Sequence, residues 1–201
     1  MIERLSKYFL KKKRNSFNKK LIKIGTLKVG VNSNIDNLEI VFSSKIEKGF
    51  SNITIGDNCN LNCKIEIYNS NAKVIIGDRV YIGPESRLFC NCGITFGDDI
   101  LLSWGITIID TNAHSINFDE RKSDLINWNL KLKDWSKVKN SPVQIHSKVW
   151  IGFNSIITKG VSIGEASIIS CGSVVVKDVN EKTIVGGNPA VLIKSNESQE
   201  S

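Results

Sequence analysis

Aliphatic residues recur at every sixth position through the C-terminal half of the chain: Ile145, Ile151, Ile157, Ile163, Ile169 and Val175. Four places after each stands a serine or a valine, at Val149, Ser155, Val161, Ser167, Ser173 and Val179. Earlier stretches keep the same spacing, first Ile55, Leu61 and Ile67, then Ile76, Ile82 and Leu88, then Phe96, Leu102 and Ile108. A period of six fits neither an amphipathic helix nor a simple alternating strand, and it points to a repeat architecture. Six residues make one short flat strand and a turn, so three such faces close a coil of about 18 residues, and coils stack ~4.8 Å apart. The aliphatic residue points into the prism and the small residue four places on fits the corner. Gly56, Gly77, Gly83, Gly152 and Gly164 are expected to relax the backbone at those corners. The pattern predicts an all-β fold, a parallel β-helix of about five to six coils.

The period is interrupted in informative places. It slips between Ile67 and Ile76 and again between Leu88 and Phe96, which predicts bulges or widened corners. Residues 25–52 alternate weakly through Leu27, Val29 and Val31 and are expected to form an irregular first coil that caps an otherwise open end. Between Ile108 and Ile145 the repeat stops, and residues 115–141 form a polar stretch containing Trp128, Asp134 and Trp135. A compact domain rarely keeps so long a loop without a use for it. The expected organisation is a basic segment over 1–24, a cap over 25–52, a β-helix over 53–194 with the loop 115–141 extruded from it, and a tail over 195–201.

Composition sharpens this picture. A chain of 201 residues with 41% hydrophobic content suits one domain. The net charge of +7 is concentrated at one end, because residues 1–23 carry nine basic side chains against Glu3 and the remainder is slightly acidic. Such a run suits an anionic membrane face or an acidic glycan. Ile2, Leu5, Tyr8 and Phe9 share one helical face, so a short amphipathic helix is compatible with the segment. Nucleic acid is not an expected partner, since no basic stripe with interleaved aromatics follows. No stretch reaches the ~18 apolar residues of a membrane span, and no cleavable leader follows the basic start. The expected location is cytoplasmic, or peripheral at the inner membrane face.

Candidate chemistry is sparse. Cys59, Cys63, Cys90, Cys92 and Cys171 are odd in number and contain no C-x-x-C pair, which argues against a zinc site or a disulfide framework. The chain has two histidines. His146 follows the inward Ile145 in regular repeat and reads as an exposed coil residue. His114 ends a coil at the mouth of the interruption, where a rigid scaffold breaks and function tends to sit.

The stretches Trp150-Ile151-Gly152, Gly160-Val161-Ser162-Ile163-Gly164, Gly172-Ser173-Val174-Val175-Val176-Lys177-Asp178-Val179 and Gly187-Asn188-Pro189-Ala190 resemble the hexapeptide-repeat acyltransferase family. Ser103-Trp104-Gly105 and His114-Ser115-Ile116 resemble its sugar and polysaccharide O-acetyltransferase branch. The resemblance covers residues 53–194. It implies a left-handed coil and a homotrimer with active sites between subunits. It also implies His114 as general base, with Asp110 or Asn112 the nearest candidates to orient it.

For acetyl-CoA as co-substrate, the resemblance implies Trp150, Gly152 and Phe153 beside the thioester and Cys171 and Gly172 along the pantetheine arm. Val176 and Lys177 would lie at the nucleotide end, Asn188 and Pro189 in a closing turn, and Lys194 near a phosphate. A backbone N–H near Gly152–Phe153 would receive the oxyanion. The acceptor would be a sugar or polysaccharide, with Trp104, Trp128, Asp134 and Trp135 the candidates to bind it. No metal is implied. The competing expectations are N-acetylation of an amino-sugar nucleotide or amino acid, a zinc enzyme of the same fold that would need three histidines, and a purely structural solenoid.

Overall fold

The computed structural model describes residues 2–130 and 132–195. The protein is a left-handed parallel β-helix of six coils and three faces, with a long helix in front of it. The first face stacks Leu27–Val29, Ile53–Ile55, Lys73–Ile76, Gly93–Phe96, Val143–Ile145 and Ser162–Ile163, all in parallel. The other two faces merge into one sheet, because Asn60–Ile67 and Tyr81–Cys90 run across the corner between them without a break. The tail expected over 195–201 lies outside the described residues except for Ser195.

Register fixes three buried aliphatic columns, one per face. The first runs Ile55, Ile76, Phe96, Ile145, Ile163. The second runs Leu61, Ile82, Leu102, Ile151, Ile169, Val185. The third runs Ile65, Leu88, Ile108, Ile157, Val175. All are buried, and each such side chain contributes about 1.5–3 kcal/mol of burial. The small corner residues are also buried and bonded: Ser155 Oγ donates to Gly152 O at 2.8 Å, and Ser173 Oγ to Ser170 O at 2.5 Å.

The corner glycines act differently from expectation. Gly56, Gly77, Gly83, Gly152 and Gly164 do not adopt positive φ. They are needed because the next coil passes too close for a side chain: a Cβ on Gly77 would sit 2.4 Å from Gly97 O, and one on Gly152 would sit 2.6 Å from Cys171 N. Positive φ falls two residues later, at Asn58, Arg79, Glu85, Asn154 and Ala166. At the corner that follows the first face Asp57, Asp78 and Asp98 each accept a backbone N–H from the preceding coil at 2.7–2.8 Å.

Most variation in coil length falls at the corner between the third and first faces, with one further irregularity between Leu61 and Cys63 at the corner between the second and third. The corner between the third and first faces holds residues 43–52, 68–72 and 91–92 in successive coils, and then the long insertion at 110–142. The two phase slips expected from the sequence fall at this same corner. Val143–Ile145 pairs in register with Ile94–Phe96 across the insertion, which therefore grows out of the solenoid without disturbing the stacking of the first face.

Both ends are covered. Helix α1, Ile2–Lys23, lies over the first coil, where Leu21 is buried and the Asn18 amide donates to Leu38 O at 2.9 Å. Arg14 reaches Asp36 O at 2.6 Å, and Lys11 pairs with the Asp36 carboxylate at 2.9 Å. At the other end Thr183–Gly187 turns back and pairs antiparallel with Ala190–Ser195. No described helix is long and apolar enough to cross a membrane.

Candidate active site

The insertion leaves the solenoid through a clamped neck. Asn112 N donates to Lys139 O at 2.9 Å and Ser141 N to Asp110 O at 2.9 Å, so the two ends of the loop run side by side. Ala113 takes a positive φ of 60°, which turns the chain and leaves the His114 side chain 58% exposed at the solenoid edge. Two short helices follow, α2 at Phe118–Arg121 and α3 at Asp124–Asn129. The Asn117 side chain caps α2 by accepting from Asp119 N, and Ser115 Oγ donates to Glu120.

Asp110 and Asn112 were the expected partners of His114, and the structure engages a different carboxylate. Asp110 is fully buried and its oxygens accept the N–H groups of Asn91, Cys92 and Gly93 at 2.7–2.8 Å. Its carboxylate stitches one coil to the next through those amides, while Asn112 meets the neck through its backbone. The group that touches His114 is Asp124, at the start of α3, with Oδ2 2.5 Å from Nδ1. Lys133 Nζ lies 2.6 Å from the same oxygen and 3.2 Å from Nδ1. The hydrogen bond from Lys133, then that from His114, holds the Asp124 carboxyl below its ordinary value against the opposing effect of burial. Sequence spacing offered no signal for this pairing, although Ser123-Asp124 is a readable helix start.

Trp128 and Trp135 pack within the chain. Trp135 stacks on Tyr68 at 5.1 Å, Trp128 meets Tyr68 edge-on at 5.8 Å, and Lys133 Nζ sits 5.1 Å from the Trp135 ring centre. These residues and the 42–45 corner border a cavity of about 570 Å³ lined by Phe42, Ser43, Ser44, Lys45, Trp128, Lys133 and Trp135. Asp134 is exposed, accepts from Ser136 N at 2.8 Å, and lines a separate recess with Asp124.

The expected co-substrate residues fall into two groups. Trp104 and Phe153 lie on successive coils at the corner between the second and third faces, with their rings parallel at 4.7 Å. Exposed Cys171 follows on the next coil, its neighbour Gly172 donating to Phe153 O at 2.8 Å. Trp150 is exposed on the second face beside this column. Farther along, Val176, Lys177 and Pro189 line a groove of about 350 Å³ with Val191; Asn188 and Lys194 do not border it. The Gly152 N–H is already donated to Ile169 O at 2.8 Å, which leaves Phe153 N as the free amide at that position among the described residues.

Burial pushes the Cys63 thiol up to about 12, and burial together with Asp110 pushes Cys92 up to about 12. Neither is a thiolate near neutral pH. Among the described residues no three His, Cys, Asp or Glu side chains cluster as a metal site would require.

A rigid three-faced coil of short parallel strands on a six-residue repeat matches the fold of known hexapeptide-repeat acetyltransferases. A family profile described as "Hexapeptide repeat of succinyl-transferase" matches residues 73–109 and 142–177. The galactoside O-acetyltransferase of Escherichia coli K12 is 28% identical over 75% of this chain and 70% of its own. A putative acetyltransferase of Saccharomyces cerevisiae is 34% identical over 72% of this chain, which spans 56% of that protein's length. Among solved structures, a point mutant of AntD, an N-acyltransferase from Bacillus cereus in complex with dTDP and coenzyme A, matches with TM-score 0.67 and 25% identity. That match covers 90% of this chain and 89% of AntD. The chain carries the hexapeptide repeat and is similar to the acyltransferases built on it.

Proposed function

We propose that the protein transfers the acetyl group of acetyl-CoA to a hydroxyl of a sugar or polysaccharide, with His114 as general base. The observation that carries this reading is the His114 ring itself, tied at Nδ1 and exposed, with no described residue bonded to Nε2. A neutral Nε2 accepts the proton of the sugar hydroxyl as its oxygen attacks the thioester carbonyl. The new C–O bond forms, the tetrahedral oxyanion draws on a backbone donor such as Phe153 N, and the C–S bond then breaks. The imidazolium returns its proton to the departing CoA thiolate, so no covalent acyl-enzyme is required.

One full face of the prism separates His114 from the Trp104–Phe153 column, so one chain does not join base and thioester site. A second copy that presents its column to this imidazole completes the site, and we take the functional unit to be the homotrimer. The Trp104–Phe153–Cys171 column offers an apolar rail for the pantetheine arm, and Lys177 and Lys194 provide charge for phosphates. The exposed Tyr8, Phe9 and Leu10 on α1, flanked by Lys12 and Lys13, suit peripheral docking on an anionic membrane surface.

The resemblance to AntD supports a second reading, acyl transfer to the amine of an amino sugar on the same scaffold. Purified protein incubated with acetyl-CoA and a panel of neutral, acidic and amino sugars separates the two through release of CoA thiol. An O-acetyl product loses its acetyl group in mild base, whereas an N-acetyl product keeps it. Absence of thiol release with every acceptor, together with no thermal shift on adding CoA, would favour a structural solenoid.

A further inference from the structure

We propose that Asp124, carried by the inserted loop, is the positioning residue that fixes the tautomer of His114, and that Lys133 locks Asp124 in place. The proposal rests on His114 being the base. A carboxylate only accepts hydrogen bonds, so the imidazole nitrogen facing it must carry the proton. With Asp124 Oδ2 2.5 Å from Nδ1, the ring is held as the Nδ1–H form and its lone pair sits on the exposed Nε2. The base is competent only in this form, because the other tautomer presents a donor to the sugar hydroxyl.

No solenoid residue takes this part. Asp110 spends both carboxylate oxygens on the 91–93 amides. Lys133 and Nδ1–H are both donors, so their 3.2 Å separation is no bond between them; they share Asp124 Oδ2 as acceptor. The Lys133 side chain is only 4% exposed. An ammonium is buried at such a site only where charge and π-faces compensate its lost water, and here Asp124 and the two indoles do so, at 5.1 Å from Trp135 and 5.9 Å from Trp128. Trp135 stacks in turn on Tyr68 of the solenoid. The chain of contacts Tyr68–Trp135–Lys133–Asp124–His114 therefore makes the tautomer of the base depend on the packing of the loop.

Since the protein has two histidines, ¹⁵N NMR of its imidazoles yields two sets of signals, assigned with His114→Ala. The expected result is an Nδ1–H tautomer for His114 that gives way to a mostly Nε2–H ring in Asp124→Ala. In the same variant kcat falls about 10- to 100-fold while both KM values stay within about threefold. Asp124→Glu recovers part of the loss. Lys133→Met, which keeps side-chain volume between the indoles, gives a smaller loss of the same kind and serves if Asp124→Ala folds poorly. An Nε2–H ring in the native protein, or unchanged kcat in Asp124→Ala, overturns the proposal. A fully active His114→Ala variant instead overturns the assignment of the base, so the two failures are distinguishable.

Discussion

Lys133 donates to the Asp124 carboxylate across 2.6 Å while its own side chain is almost wholly buried. The pair closes the inserted loop over the edge of the solenoid, and its strength depends on Asp124 being ionised. The folded-state value of Asp124 is lowered, so its contribution is present above the ordinary carboxylate value of 3.8 and is lost as pH falls through the lower folded value. The fluorescence of Trp128 and Trp135, read against a variant in which Trp104 and Trp150 are phenylalanine, is expected to stay constant from neutral pH down to that range. It then changes below it. A transition near neutral pH would contradict this account of the loop.

Gly77 and Gly172 make a contrasting pair. A Cβ on Gly77 would meet the Gly97 carbonyl at 2.4 Å, whereas Gly172 has open space but a φ of 68°. Gly172→Ala is expected to cost about 1–2 kcal/mol, the price of a left-handed residue with a side chain. Gly77→Ala must push two coils apart and is expected to cost more than about 3 kcal/mol. Thermal melts of the two variants check the order, and a larger loss at Gly172 would contradict the steric explanation.

Helix α1 is expected to have two separable parts. Leu21 is buried against the first coil, so Leu21→Ala should cost about 2–5 kcal/mol. Lys12→Glu together with Lys13→Glu touches only exposed positions and should leave the melting temperature within a few degrees. In co-sedimentation with vesicles containing phosphatidylserine, the double variant is expected to lose most of its binding, and the native protein to lose it in high salt. Equal binding by both proteins would contradict membrane docking through α1.

The parallel rings of Trp104 and Phe153, 4.7 Å apart, are expected to form part of the surface that meets acetyl-CoA. Phe153→Ala should raise the KM for acetyl-CoA about tenfold and leave kcat within about threefold, because uniform binding is lost rather than transition-state stabilisation. A fall in kcat at unchanged KM would move Phe153 into the chemistry.

How much of this was legible in the sequence follows from the reach of each interaction. Ile145, Ile151, Ile157 and Ile163 recur at one period because each occupies an equivalent place in the prism, so inward columns and coil number could be read directly. Gly77 was visible as a corner residue, but its reason was not, since the clash comes from Gly97 one coil away and local torsion preferences do not report it. His114 could be singled out as a candidate because the period stops just before it. Asp124 and Lys133 were not, because they lie in a segment without period and reach the imidazole only after α3 and the stack on Tyr68 have folded the loop back. Asp110, the nearest carboxylate in sequence, is drawn inward by three unsatisfied backbone amides, a requirement that sequence distance does not express.

The central claim is that His114 is the base for acetyl transfer, and the most direct test is kcat of His114→Ala with acetyl-CoA and whichever sugar acceptor the native protein uses. The account predicts a loss of about 10²- to 10⁴-fold, with the thermal shift on adding CoA unchanged. A variant within twofold of native turnover would contradict it.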